Sequence, residues 1–134
     1  DYLANTNMPK NYVDPVDAAN NGNAVNLVTV AWADGADTNE VKLQKIITQK
    51  WIANFPEGQE AWSDHRRTGY PKLLPVLVNA SGGTITTEFG VRRINFVDTE
   101  KAGNPEGVES GLIELGGPDT GGTRLWWDTT TPNF

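Results

Sequence analysis

The sequence predicts a mainly α-helical, loop-rich unit with a few short strands, and three observations carry that prediction. Leu43, Ile47, Trp51 and Phe55 recur every four residues, with Ile46 beside them, which places one apolar stripe along a helix of about four turns. Asn104-Pro105-Glu106 is a helix start, with a capping side chain, Pro in the first turn and an acid near the positive end. The 14 glycines and 8 prolines punctuate the remainder so often that long connections must join the regular elements.

Residues 1–24 carry Asn, Asp, Pro and Gly at turn-forming density and read as irregular after a short helical start at Tyr2 and Leu3. The run VNLVTVAW, residues 25–32, is β-branched and alternating, so it reads as a short strand that Asp34-Gly35 breaks. Asp37 or Thr38 then caps the striped helix. Asp37 has Glu40 three residues on, the spacing of a capping box. Pro56 ends that helix. A shorter one is predicted from about Gly58 to Thr68, with Ala61, Trp62 and His65 inward, Gly69 in the left-handed position past its end and Pro71 preventing resumption. LLPVLV, TITTEF and VRRINF are three further extended runs, the first demoted to an edge by Pro75. The last predicted helix buries Val108, Leu112 and Leu115 and stops at Gly116-Gly117. A glycine-punctuated loop then carries Trp126 and Trp127 to the end.

Composition narrows the function. The chain has 134 residues, close to the commonest domain size, and no linker divides it, so 1–134 reads as a single unit. A net charge of −6 and a pI near 4.6 argue against nucleic acid, which needs clustered Lys and Arg; Arg66/Arg67 and Arg92/Arg93 are too few. The absence of Cys excludes disulfides, thiolate metal sites and Cys nucleophiles. No run approaches the roughly 18 apolar residues of a membrane helix. The chain opens at Asp1 without an initiating Met or a signal peptide, so a mature or truncated product is expected.

Few residues offer chemistry. His65 is the one histidine and, on a helix's inner face, reads as a packed core residue. Glu57, Glu60 and Asp64 more simply cap a helix or pair with the arginines than form an acid/base pair across a cleft. DGADTNE, with Asp34, Asp37, Asn39 and Glu40, has the oxygen density of a calcium loop but not the spacing of an EF-hand. Neither a catalytic residue nor a metal or other cofactor is expected. Five tryptophans remain as a clue, because indole faces stack on the apolar faces of sugar rings. Trp51 and Trp62 lie on helical stripes and read as core. Trp32, just before Asp34-Gly35, and Trp127, just before Asp128, lie on loops and are the candidate ligand residues.

Residues 41–76, VKLQKIITQKWIANFPEGQEAWSDHRRTGYPKLLPV, resemble the carboxy-terminal part of the SusD/RagB nutrient-binding outer-membrane lipoproteins of Bacteroidetes. VRRINF at 91–96 is similar to the family's RR-hydrophobic segment, and GGTRLWWD at 121–128 to its terminal motif. The resemblance spans roughly 26–128 in the right order. It implies the loop-rich carboxy-terminal part of a SusD-like α-α superhelix with tetratricopeptide-like helix pairs, here as a piece of a longer protein. It further implies a surface-exposed lipoprotein of the outer membrane, attached only through an upstream lipid anchor that this chain lacks. Such a protein binds an oligosaccharide or other nutrient without hydrolysing it and delivers it to a SusC-like TonB-dependent transporter. Two other readings stay open at this point: a glycoside hydrolase or its accessory domain, and a structural fragment with no ligand site of its own.

Overall fold

Four helices and two single 3-10 turns, at Tyr2–Ala4 and Ala18–Asn20, make up the regular structure of a computed structural model that describes residues 1–128. The end of the carboxy-terminal loop, 129–134, lies outside the described residues. Two compact units divide the chain, Asp1–Leu74 and Pro75–Asp128.

The first unit is built on α1, Asn39–Ala53, and α2, Gly58–Thr68. Thr38 caps α1, its hydroxyl accepting from the Val41 amide at 3.3 Å. Asp37 does not form the predicted capping box. Its carboxylate takes the Lys45 ammonium at 2.6 Å and the Ala33 amide at 3.2 Å, a charge-assisted arrangement that outcompetes a bare cap. Along the predicted stripe Ile47 is buried, Leu43 and Trp51 are half-buried and Ile46 is exposed, whereas Phe55, predicted to lie on the helix, falls in the turn past its end at Ala53 and is 89% exposed. The stripe is therefore a helical period only part of which packs inside this unit. Between the helices, Lys50 reaches Glu60 at 2.7 Å and Asp64 at 2.6 Å. The Trp51 ring meets that of His65 edge-on, centroids 6.2 Å apart. His65 is half-buried in that contact. Trp62, predicted to be core, is half-buried, and the Arg66 guanidinium lies 3.5 Å from its ring centroid. Gly69 ends α2 at φ 73°, a left-handed conformation that favours glycine for want of a Cβ.

The second unit holds α3, Asp98–Gly103, and α4, Pro105–Leu115, packed on one another. Asn104 caps α4 by accepting from the Gly107 amide at 3.2 Å, and Gly116 closes it at φ 68°. Val108 is its buried apolar residue. The sequence analysis did not anticipate α3, whose signal is only acids in its first turn and a lysine in its last.

Among the described residues the four extended runs make no sheet. The pairings present are isolated bridges, Tyr12 with Gly22 and Thr86 with Gly90. A strand needs a neighbouring ladder, and each run spends its polar groups otherwise. In 25–32, Asn26 ties the chain to α1 through Gln44 at 2.8 Å and Thr48 at 3.0 Å, and accepts from the Lys72 amide at 3.2 Å. In VRRINF, the amides of Arg92 and Arg93 both donate to the Gly121 carbonyl, at 2.7 and 3.2 Å. Pro75 has no amide hydrogen to offer in LLPVLV.

Candidate functional site

Trp32 stands on the bend between the 25–32 segment and α1, with 48% of its surface exposed. Its indole N–H donates to the Asp34 carboxylate at 2.5 Å. The Lys42 ammonium lies 5.7 Å from the ring centroid and donates to the Asp34 carbonyl at 3.1 Å. Lys42 and the Asp34 carboxylate are 3.8 Å apart, and the Asp34 side chain is 84% exposed. A flat apolar face thus stands beside an open acceptor and a cationic donor, the few-polar-groups pattern of a site for a hydroxylated ring.

The carboxylates of the DGADTNE run go to three different partners. Asp34 serves Trp32, Asp37 serves Lys45, and Glu40 accepts from the Tyr70 hydroxyl at 2.7 Å. The Lys45 hydrogen bond holds the Asp37 carboxyl below the usual carboxylate range, against the upward pull of burial. Burial first, and then the bond to Glu40, push the Tyr70 hydroxyl up to about 12. Among the described residues no group of three or more His, Cys, Asp or Glu could hold a metal ion.

Trp127 lies in the second unit and is half-buried, whereas its neighbour Trp126 is 92% exposed. The adjoining Asp128 carboxylate is enclosed: Arg92 donates to it through Nε at 2.6 Å and through Nη2, and Arg124 at 3.2 Å. Trp127 therefore has no open carboxylate beside it in the way Trp32 has. Arg93 makes the equivalent pair with Asp119 at 2.6 Å, joined by Lys101 at 2.9 Å. Burial alone would raise Asp119. The bonds from Arg93, Lys101 and the Phe96 amide outweigh it and bring the carboxyl to about 2.

Two hollows were not foreseen from the sequence. One of about 570 Å³ in the second unit is lined by Ile85, Val91, Phe96 and Val97, with Arg93 and Lys101 at its polar side. One of about 240 Å³ in the first unit is lined by Tyr2, Met8, Pro9, Val28 and Ile52, with Lys45 in its wall. Their residues come from segments far apart in sequence, so no spacing rule marks them. The buried Arg92 and Arg93 were visible in the sequence only as a cationic doublet inside an apolar run. No helix of the described residues is long and apolar enough to cross a membrane.

Comparison with known proteins bears on these sites. A family model described as SusD and RagB outer membrane lipoprotein matches residues 1–128. A chitin-binding SusD homolog from Flavobacterium johnsoniae is 70% identical, with a TM-score of 0.89 over 99% of this chain and 27% of its own. A SusD homolog from Bacteroides vulgatus is 45% identical, with a TM-score of 0.88 over 99% of this chain and 27% of its own. One from Bacteroides thetaiotaomicron is 41% identical, with a TM-score of 0.87 over 98% and 29%. The chain thus spans between 27% and 29% of the length of these three structures. Among curated proteins none matches it. With α2 and α4 where the sequence placed them, a mainly helical fold, and a family match over nearly its whole length, the chain belongs to the SusD and RagB outer membrane lipoprotein family.

Proposed function

We propose that this chain is the carboxy-terminal region of a non-catalytic nutrient-binding lipoprotein exposed at the outer-membrane surface, that residues 1–134 act there as one region, and that its ligand is a glycan. Trp32 stacks on a sugar ring while Asp34 and Lys42 meet ring hydroxyls, and Trp127 contributes a second aromatic contact. The bound nutrient passes to a SusC-like TonB-dependent transporter, and attachment to the membrane is through a lipid carried by the longer protein. The observation that carries this reading is the exposed Trp32 indole with an open carboxylate bonded at its edge, in a family described as outer-membrane lipoproteins. The 70% identical relative described as chitin-binding makes an oligomer of N-acetylglucosamine the first ligand to try.

The test is titration of the intact protein with N-acetylglucosamine hexamer. Trp32→Ala should lose about 1–3 kcal/mol of affinity, by analogy with stacking of bases on aromatic side chains. A smaller loss is expected for Trp127→Ala, because it is half-buried and its neighbouring carboxylate is occupied. Unchanged affinity in both variants moves the site off these residues. Sustained release of shorter oligosaccharides would overturn the non-catalytic reading. Recovery of the protein from native outer membranes without any transporter attached would remove the delivery step.

A further inference from the structure

Lys45 is 6% exposed, an unusual place for an ammonium, since burying a charge is costly unless it is paired and hydrogen-bonded. Its bonds show where that charge acts. Lys45 donates to the Ala31 carbonyl at 2.5 Å and to the Asp37 carboxylate at 2.6 Å. The same Asp37 oxygen accepts from the Ala33 amide at 3.2 Å, and the Asp37 amide donates back to the Ala33 carbonyl at 2.8 Å. The Ala31 carbonyl lies in the peptide plane before Trp32, and the Ala33 amide in the plane after it. Each peptide is planar, so anchoring one atom in each constrains both backbone torsions of the residue between them. A third anchor, the Ala31 amide donating to the Asn5 carbonyl at 3.0 Å, steadies the same bend.

We infer that the buried Lys45–Asp37 pair is a clamp on the backbone of Trp32, and that these two residues are positioning residues for the ligand site at that indole. The inference rests on the reading of Trp32 as a ligand residue. A pair needed only for stability could be replaced by packed apolar side chains at little loss. The bonds to both planes around one exposed indole are what apolar side chains would not supply. Holding the bend before the ligand arrives removes the ordering of backbone and side chain from the binding step, which is how preorganisation raises affinity.

The experiment uses the intact protein with 5-fluorotryptophan in place of Trp, the Trp32 resonance being assigned by Trp32→Phe, and N-acetylglucosamine hexamer as the probe. The variants are Lys45→Met, Asp37→Asn and the two together, each kept well below its own melting temperature. Asp37→Asn retains an acceptor for the Ala33 amide, so it carries the test if Lys45→Met fails to fold. In the variants the Trp32 signal should move and narrow, while those of Trp126 and Trp127 stay in place. Affinity should fall about tenfold, the scale of ordering one backbone residue. On a Trp32→Ala background the same substitutions should change affinity less than about twofold, because they act through the missing indole. An unmoved Trp32 signal in a folded variant overturns the clamp. A full loss of affinity that persists on the Trp32→Ala background overturns the positioning role. If Trp32→Ala itself leaves affinity unchanged, the ligand reading of Trp32 and the positioning role fall together, and the fluorine signal still decides whether the clamp exists.

Discussion

The two units bury charge in different ways. In the first, backbone hydrogen bonds are closed within α1 and α2, and cations on α1 reach outward: Lys45 to the bend at 31–37, Lys50 to α2. Ile47, Ala61 and Tyr70 supply its buried apolar surface. The second has a short helix pair and long connections, and Val108 is the buried apolar residue among those described. Arg92 and Arg93 take the place of a core there, each against a carboxylate 36 or 26 residues away. A guanidinium offers five donors in a fixed fork, enough to hold a loop that has no ladder. An ammonium is a point donor and serves better to fasten a loop to a helix that is already formed.

If that contrast is right, the second unit is the more vulnerable to losing one charge. Asp128→Ala leaves Arg92 buried without its carboxylate and should cost about 3–5 kcal/mol in urea unfolding. Replacing both partners with apolar residues, Arg92→Met with Asp128→Leu, should cost less than Asp128→Ala alone. A loss under about 1 kcal/mol from Asp128→Ala would end the idea that the pair substitutes for a core.

The first unit should answer more to apolar deletion. Ile47→Ala is expected to cost about 2–4 kcal/mol, within the range for buried aliphatic truncation. Phe55→Ala, in register with that stripe but exposed in the turn past the helix, should stay within about 0.5 kcal/mol. Equal losses at the two positions would show that the stripe packs as a whole.

Removing a cap separates local from tertiary control within that unit. Thr38→Ala should cost about 1 kcal/mol, the usual worth of an N-cap hydroxyl. Asp37→Asn should cost little through capping, because Thr38 does that work.

A last effect is confined to the second unit and depends on pH. Asp119 has its carboxyl lowered from 3.8 to about 2, so its contribution is fully present above the ordinary carboxylate value. That contribution is lost as pH falls from about 4 through about 2, as protons displace the bonds from Arg93 and Lys101. Carbon-13 titration should place the Asp119 midpoint near 2, and Asp119→Asn should flatten the acid limb of the melting curve. An Asp119 midpoint near 4 would remove this ion pair from the comparison.

Much of the helical structure was legible because its signals are local. The start at Asn104-Pro105, the end at Gly116 and the span Gly58–Thr68 all follow from side chains within a few positions of the boundary. The extended runs misled because β-branched composition marks a residue fit for a strand without supplying the partner strand. Of the site, Trp32 was legible as a loop indole beside a carboxylate. Lys45 was not, since a lysine inside a helical stripe looks solvated until the Ala31 carbonyl, fourteen residues earlier, is seen to receive it.

By itself, then, the sequence determined where α2 and α4 begin and end, that a helix precedes them over α1, and which family this chain resembles. Helices close their hydrogen bonds four residues apart, and motif order is a property of the chain alone. Tertiary structure alone decided which face of the α1 stripe is covered, and which carboxylates are already taken. It also decided which indole keeps an open acceptor at its edge: Asp34 is open beside Trp32, and Asp128 is enclosed beside Trp127. Those outcomes depend on groups brought together from tens of residues apart, where burial and pairing act and sequence spacing carries no information.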